Sequence, residues 1–396
     1  MSPVVVEKAK DWRRGAVVAA GVAAVAGAVY YYYWGRSSRG RKRDHSAVRK
    51  IMATRPSQSE QRFDIVGLYV YPVKSMKGVA LETSGFDHLG LKNDRRFCVI
   101  NAATGNLVTQ RDNRLMALVR PVLDGQKGTL QFRFGEPEAQ SPAVPLNAGT
   151  TGGLARTVTI WRVPIPCVDC GDDISKWLTK SLNKGSKRAK DVPYRLVRLA
   201  PGSFRDTNKY DTKWGTAYSK EDRAGFSDCS QYLVTFTKSL AYLDECLPPN
   251  TIESMRRFRP NIVLQSHVPF EEDWISRMRV VPKQGVGRRP PIELKVNKGC
   301  HRCTMCTINQ ETGERTAHNQ PLNLLREFRV AKDGRFENSP SFGLNVSRVP
   351  LGAVGDGDGV DEDGASLKFS VGDAVVVTRQ VFTNMQDCVP VQNHSK

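Results

Sequence analysis

Three thiols at i, i+3 and i+6 bracket an imidazole and a guanidinium in Lys298-Gly299-Cys300-His301-Arg302-Cys303-Thr304-Met305-Cys306. Soft thiolates in such a run suit zinc, an iron–sulfur cluster or another thiophilic ion. A second C-x-x-C, Cys167 and Cys170, would complete a four-thiolate zinc site if the two pairs met in space. Buried, unliganded thiols at a strand end are the plainer alternative. Arg302, adjacent to Cys303, offers a cation to a thiolate and to an anionic ligand alike. Further basic and polar residues fall at the ends of strand-like runs: Lys74-Ser75, Arg95-Arg96 and Arg259-Pro260-Asn261. A cationic head there can meet phosphate or other oxygens, although each taken alone reads as an ordinary surface charge.

The elements that must position these residues are mostly strands. Short runs rich in Val, Ile, Thr and aromatics begin at Phe63 and continue at Arg96–Asn101, Thr157–Ile165, Tyr194–Leu199, Tyr232–Phe236, Asn261–Gln265, Ile292–Val296 and Ala374–Thr378. Helical periodicity appears in pieces, at Ile174–Leu182 and Lys238–Leu247. Strands outnumbering helices, irregularly spaced between Gly/Pro turns, predict β-barrels or packed sheets. The basic stretch Lys184, Lys187, Arg188 and Lys190 reads as a domain junction. The long polar segment Gly202–Gly225 reads as a lid or binding loop. Gly355–Gly364 resembles a calcium loop, but Val360 stands where an oxygen ligand is needed.

Several chemistries are excluded by what is missing. No G-x-G-x-x-G follows a strand, Leu91 breaks the nearest phosphate-loop pattern, and neither H-E-x-x-H nor G-x-S-x-G occurs. The six histidines are scattered. The chain therefore has no nicotinamide, flavin, kinase or zinc-protease signature. Its nine cysteines, an odd number in 396 residues, argue against a disulfide-framed secreted fold and for a reducing compartment.

The formal charge of +19 would suit nucleic acid, but it is unevenly placed. Residues 1–56 hold 12 Lys and Arg against 3 Asp and Glu, and the remaining 340 carry a net +10. Within that first stretch, Gly15–Trp34 is a run of 20 uncharged residues ending in Tyr30–Trp34. As a helix it would span roughly 30 Å, one hydrocarbon thickness, with the aromatics at headgroup level. The basic residues that follow it predict a cytosolic soluble part and make a cleaved signal peptide the weaker reading. The expectation is a membrane anchor, with no nucleic-acid role. A span without Leu or Ile suits the mitochondrial outer membrane, with the endoplasmic reticulum as the alternative.

The segments Tyr71-Pro72-Val73-Lys74-Ser75, Phe258-Arg259-Pro260-Asn261-Ile262-Val263, Cys300-His301-Arg302-Cys303, Asn309-Gln310-Glu311-Thr312-Gly313 and Val371-Gly372-Asp373 resemble, in this order, the MOSC-domain proteins. Within them the pattern is most similar to the mitochondrial amidoxime-reducing components. The resemblance implies a β-rich mixed fold with few helices: an N-terminal β-barrel-like domain at 62–192 and a β-barrel MOSC domain at 193–380. Around these it implies a tail at 1–14, the anchor at 15–34, a basic linker at 35–61 and a tail at 381–396. It further implies a molybdenum–molybdopterin cofactor and reduction of N-hydroxylated substrates such as amidoximes and hydroxylamines, with nitrite a further candidate. Electrons would come from cytochrome b5 and NADH-cytochrome b5 reductase.

Carried over by position, Cys303 matches the thiolate that ligates molybdenum, and Lys74, Ser75 and Arg96 match residues that hold the pterin phosphate region. Asp228, Cys229 and Ser230 match a polar triplet beside the metal, with Asp228 the candidate for orienting substrate or passing a proton. Arg259, Asn261, His301 and Arg302 match further cofactor contacts. Departures are Cys229 in place of a Thr, an additional Cys306, and Asn345 in place of a cofactor-contacting aromatic. Two other readings stand beside this one. In a sulfur carrier or molybdenum-cofactor sulfurase-like protein, Cys303 would carry a persulfide. In a zinc or iron–sulfur scaffold, Cys300, Cys303 and Cys306 would be ligands.

Overall fold

The computed structural model describes residues 43–54, 56–57, 61–135, 137–147, 153–185, 191–207, 219, 222–252, 254–283, 290–330, 339–349 and 367–380. The expected anchor Gly15–Trp34, most of the basic junction, the middle of the Gly202–Gly225 segment, Gly355–Gly364 and the C-terminal tail lie outside the described residues. The chain divides into Met1–Ala47 and Val48–Lys396, and the architecture below belongs to the second unit.

Seven strands of that unit form a closed ring. Around it run Ile262–Gln265, Tyr232–Phe236, Ser341–Arg348, Ile292–His301, Ile275–Val281, Ala374–Gln380 and Arg62–Val70, which pairs back onto Ile262–Gln265. Closure leaves no sheet edge, and the alternating apolar residues turn inward. Arg62–Val70 shows how the pattern is kept. Phe63 and Ile65 face the core, the register then shifts between Ile65 and Gly67, and Leu68 and Val70 face the core beyond it. A β-bulge supplies the extra residue that changes the parity. The pair Tyr232–Phe236 and Ile262–Gln265 is parallel, and the connection carries the helix Thr237–Glu245. Outside the barrel, that helix joins residues 48–53 and Leu322–Phe328 over a second apolar cluster containing Val48, Met52, Leu243, Phe270, Leu325 and Phe328.

The inserted part has its own core. A five-stranded sheet runs Ala155–Ile160, Val163–Asp169, Tyr194–Leu199, Phe97–Asn101 and Leu107–Val108. A smaller sheet is built on Arg120–Asp124, Thr129–Phe134 and Val144–Pro145. Between them, with the helix Asp172–Leu182, lies a core that includes Phe97, Val99, Phe132, Phe134, Leu178 and Leu196. Strand pairing runs across position 192/193. Arg62–Val70 closes the later barrel, whereas Tyr194–Leu199 pairs with Phe97–Asn101 and Val163–Asp169. Both pairings join residues far apart in the sequence, which composition does not show.

The run expected as one strand at Thr157–Ile165 is a hairpin, with Ala155–Ile160 paired antiparallel to Val163–Asp169. Its two turn residues, Trp161 and Arg162, have φ of 52° and 66°. A two-residue turn needs that left-handed backbone, which Asn-Gly usually signals and Trp-Arg does not. Among the described residues no helix is long and apolar enough to cross a membrane.

Candidate functional site

The thiol run begins where a barrel strand loses its regularity. Ile292–His301 pairs with Ser341–Arg348 through two register shifts, between Val296 and Lys298 and between Gly299 and His301. Beyond it, Cys303 caps the 3₁₀ turn Thr304–Thr307 in an extended conformation. This geometry separates the three thiols. Cys303 is exposed, Cys300 is half-buried, and Cys306 is buried in the cluster beneath the helix Leu322–Phe328. Burial pushes the Cys306 thiol up to about 12, against the pull of Arg302. Burial likewise raises Cys300, with Arg302 opposing. Among the described residues no three His, Cys, Asp or Glu side chains converge as a metal cage, and the pair Cys167/Cys170 does not join the run. Cys167 instead packs in a separate apolar cluster with Cys98, Val158 and Ile165, its thiol directed at the Ile165 and Arg156 carbonyls.

Arg302 supports the loop that carries Cys303. Its Nε and Nη2 donate to the Phe342 carbonyl at 2.9 and 2.6 Å, and Nη1 donates to that of Phe258 at 2.8 Å. The stacked Phe258 and Phe342 rings lie against it. His301 is tied through Nδ1 to the Ser339 carbonyl at 3.0 Å. Gly343 makes this seat possible: at φ 76°, an added Cβ would lie 2.6 Å from the Val234 carbonyl oxygen.

The cations are gathered by the loop after Arg62–Val70. Lys74 is buried, and its ammonium donates to the Phe226 carbonyl at 2.9 Å and to Asp228 at 2.6 Å. Next to it, Ser75 takes a left-handed backbone, φ 67°. Gln110 fixes that turn by donating to the Ser75 carbonyl at 3.0 Å, and Gln110 pairs in turn with Gln310. Behind them, the Arg95 and Arg259 guanidinia lie over the Tyr71 ring at 4.5 and 4.3 Å. Each such contact stabilises a cation in place. Arg259 also has a left-handed backbone, φ 60°, and donates to the Met76 carbonyl at 2.6 Å. Burial, with Arg95 beside it, lowers the Arg259 guanidinium to about 10. Asn261 is a latch, accepting from Arg95 and from the Leu233 amide and donating to the Tyr69 carbonyl. Arg96 pairs with Asp87 at 2.7 Å.

The triplet Asp228-Cys229-Ser230 lies opposite Lys74. Ser230 accepts from Asn297 at 3.0 Å. Burial pushes the Cys229 thiol up to about 11, against Lys298. Asp228 keeps 59% of its side-chain surface open to solvent, yet it lies deep among protein atoms. Depth alone would raise its carboxyl, but the Lys74 ammonium outweighs it, with Arg205 and Arg95 adding. The carboxyl is therefore held well below the usual carboxylate range. Solvent access screens part of this attraction. Asn345 is buried, and its Nδ2 reaches the Gly299 carbonyl at 3.4 Å.

Buried polar atoms of this region that make no hydrogen bond among the described residues include Tyr71 Oη, Ser75 Oγ, Ser227 Oγ, Arg259 Nη2 and Asn297 Oδ1. Leaving such a group unpaired costs about 1–3 kcal/mol, so in a native site it calls for a partner. An anionic group rich in acceptor oxygens fits this set, and an exposed Cys303 fits a thiophilic metal. Two residues of the site have roles that the sequence does not show. Arg95 was visible as part of a basic pair, but its contact with Asn261 appears only in the fold. Arg205 stands in no motif.

The comparisons with known proteins agree with this architecture. Residues 62–185 match the MOSC N-terminal beta barrel domain, and residues 221–361 match the MOSC domain. The chain belongs to the MOSC-domain proteins, with both domains present. It is 28% identical over 322 residues to mitochondrial amidoxime-reducing component 1 of Homo sapiens, covering 79% of this chain and 87% of the relative. It is 27% identical to mitochondrial amidoxime reducing component 2 of Homo sapiens, covering 79% and 88%. It is 26% identical to molybdenum cofactor sulfurase of Danio rerio, covering 73% of this chain and 33% of that protein.

Proposed function

We propose that the chain is a molybdenum-cofactor-dependent reductase of N-hydroxylated compounds, amidoximes and hydroxylamines first and nitrite as a further candidate. The observation that carries the reading is the separation of the thiols: of the three, Cys303 alone is exposed, and Cys300 lies within electrostatic reach of both Cys303 and the Asp228 that pairs with Lys74. The names of the amidoxime-reducing relatives support the same reaction class. When bound, a molybdenum–pterin group supplies two-electron removal of the hydroxyl oxygen from R–N–OH.

The residues divide the remaining work. Cys303 Sγ would be the protein ligand. Lys74, Ser75, Arg96 and Arg259 would hold the phosphate-bearing pterin, with Asn261, His301 and Arg302 fixing the loops that present them. Asp228, kept ionised, accepts a hydrogen bond from a substrate N–H or O–H and so orients it; donating a proton from that carboxyl is disfavoured. Cys229 and Ser230 would complete the wall beside it. The sequence has no dinucleotide motif, so electrons would come from a partner, and the resemblance to the amidoxime-reducing components implies cytochrome b5 and its NADH-dependent reductase.

We further propose that residues 15–34 anchor the chain in the mitochondrial outer membrane with the soluble part in the cytosol, in keeping with the relatives' mitochondrial names. Protease added to intact organelles should then remove the soluble part; protection in the absence of detergent argues against this topology.

Elemental analysis of the purified chain, with oxidised-pterin fluorescence, tests the central reading. Stoichiometric molybdenum and pterin are expected. Zinc or iron in their place rejects it. A metal-free chain carrying persulfide on Cys303 would favour the sulfur-carrier reading, which the sulfurase relative keeps in view.

A further inference from the structure

The turn that presents Asp228 is held from behind by Arg205, a residue with 1% of its surface exposed. Arg205 stands in a short ladder, Arg205–Asp206 against Arg223–Ala224, at the base of the long polar segment. Its Nη2 donates to the carbonyl of Ser227 at 2.9 Å and to that of Asp228 at 2.7 Å. Two successive carbonyls on one guanidinium nitrogen fix the peptide between them. The flat, always-charged guanidinium does this with little further loss of freedom, whereas an ammonium on a flexible stem holds such a pair less rigidly.

From these contacts we infer that Arg205 is a positioning residue for Asp228: it sets the Ser227–Asp228 backbone so that the carboxylate meets Lys74, without touching substrate itself. The effect on turnover rests on the reductase reading; the positioning does not. The groups that face Asp228 are Lys74, Arg95, Arg205, Arg259 and the Cys229 and Cys300 thiols. Lys74 is the nearest cation, in direct contact at 2.6 Å. Removing Arg205 should therefore weaken the hold on the carboxylate without abolishing it.

The test uses the full chain with Arg205→Lys and Arg205→Met, beside Asp228→Asn. The carboxyl of Asp228 is followed by carbon-13 titration in cofactor-free protein and assigned by its loss in Asp228→Asn. Turnover is measured against pH in the loaded protein. In Arg205→Met the carboxyl should titrate closer to the ordinary value of about 3.9, and the acid limb of turnover should move up with it. Arg205→Lys keeps the charge but not the paired grip, so kcat should fall about tenfold, while the lost charged hydrogen bond lowers the thermal midpoint by only about a few degrees. A lower midpoint with the Asp228 titration unmoved means that Arg205 is merely structural and overturns the inference. If Arg205→Met does not fold, Arg205→Lys decides: wild-type turnover overturns the inference, and turnover lost in the folded protein together with an altered Asp228 titration upholds it. Failure of the reductase reading shows separately, as absence of molybdenum.

Discussion

Position, more than residue type, distinguishes the three thiols. The spacing of Cys300, Cys303 and Cys306 was legible in the sequence, but their separation into half-buried, exposed and buried was not. That outcome depends on the bulged end of Ile292–His301 and on the 3₁₀ turn after it, neither of which has a local signature. The consequence is a test that the sequence alone would have framed less well. Cys303→Ser should abolish turnover, because an alkoxide is a harder donor than a thiolate. Cys300→Ser should keep most activity. Cys306 needs Ala as its replacement, since a Ser hydroxyl would be buried in an apolar cluster; Cys306→Ala should keep its metal while losing on the order of 1 kcal/mol from the small cavity. Molybdenum content, turnover and thermal midpoint for the three variants side by side decide the matter. Equal metal loss in all three would mean a shared metal cage and remove the single-ligand assignment. The same contrast holds for Arg302: its adjacency to Cys303 was readable, but its grip on the Phe342 and Phe258 carbonyls was not.

Among the elements, the barrel strands were legible because alternation of Val, Ile and aromatics survives even a bulge, as in Arg62–Val70. What escaped is the acidic turn Glu271–Trp274, which packs with Glu271, Glu272 and Asp273 all buried. Three consecutive acids read as surface in any sequence, and only long-range partners reverse that. Arg329 forms a two-pronged pair with Asp273 at 2.5 and 2.8 Å, with both side chains 2% exposed. Glu272 receives hydrogen bonds from Ser239. Arg329→Met should cost about 3–5 kcal/mol, because it leaves the Asp273 charge buried and unpaired. Urea unfolding would show it, and a loss under 1 kcal/mol would count against the pairing. Burial, reinforced by Asp273, pushes the Glu272 carboxyl well above its ordinary range. The folded state then holds a proton that the unfolded state releases near pH 4.3, so this group's contribution to stability is full below that pH and falls as pH rises through the raised folded value. Glu272→Gln, an amide of nearly the same shape, should flatten that decline on the alkaline side. A mutant whose stability falls with pH as steeply as the wild type would exclude Glu272 as its source.

At the scale of the whole molecule, charge is the feature that sequence conveys best and structure refines least. The 340 residues after position 56 carry a net +10, and this summed field acts on a partner before any contact forms. If electrons arrive from an acidic haem protein, association should be steered electrostatically, with the rate rather than the final fit most sensitive to salt. The interaction range shrinks from about 30 Å at 0.01 M salt to about 10 Å at 0.1 M and 3 Å at 1 M. The full chain in detergent with NADH alone should leave a benzamidoxime-type substrate unreduced, because the sequence has no dinucleotide motif to accept the hydride. Adding cytochrome b5 and its reductase should start turnover. Raising the salt should then increase the concentration of cytochrome b5 needed for half-maximal rate, while the rate at saturating cytochrome b5 changes little. A control is needed because salt also acts on the reductase's own pairing with cytochrome b5. Pre-reduced cytochrome b5 mixed with the chain in a stopped-flow instrument isolates the one step. Its bimolecular rate constant should fall steeply between 0.05 and 0.5 M salt, values chosen to cross the ~10 Å screening length. A rate constant indifferent to salt would mean that the net +10 does not guide this partner. Turnover with NADH alone would mean that the chain takes its electrons without one.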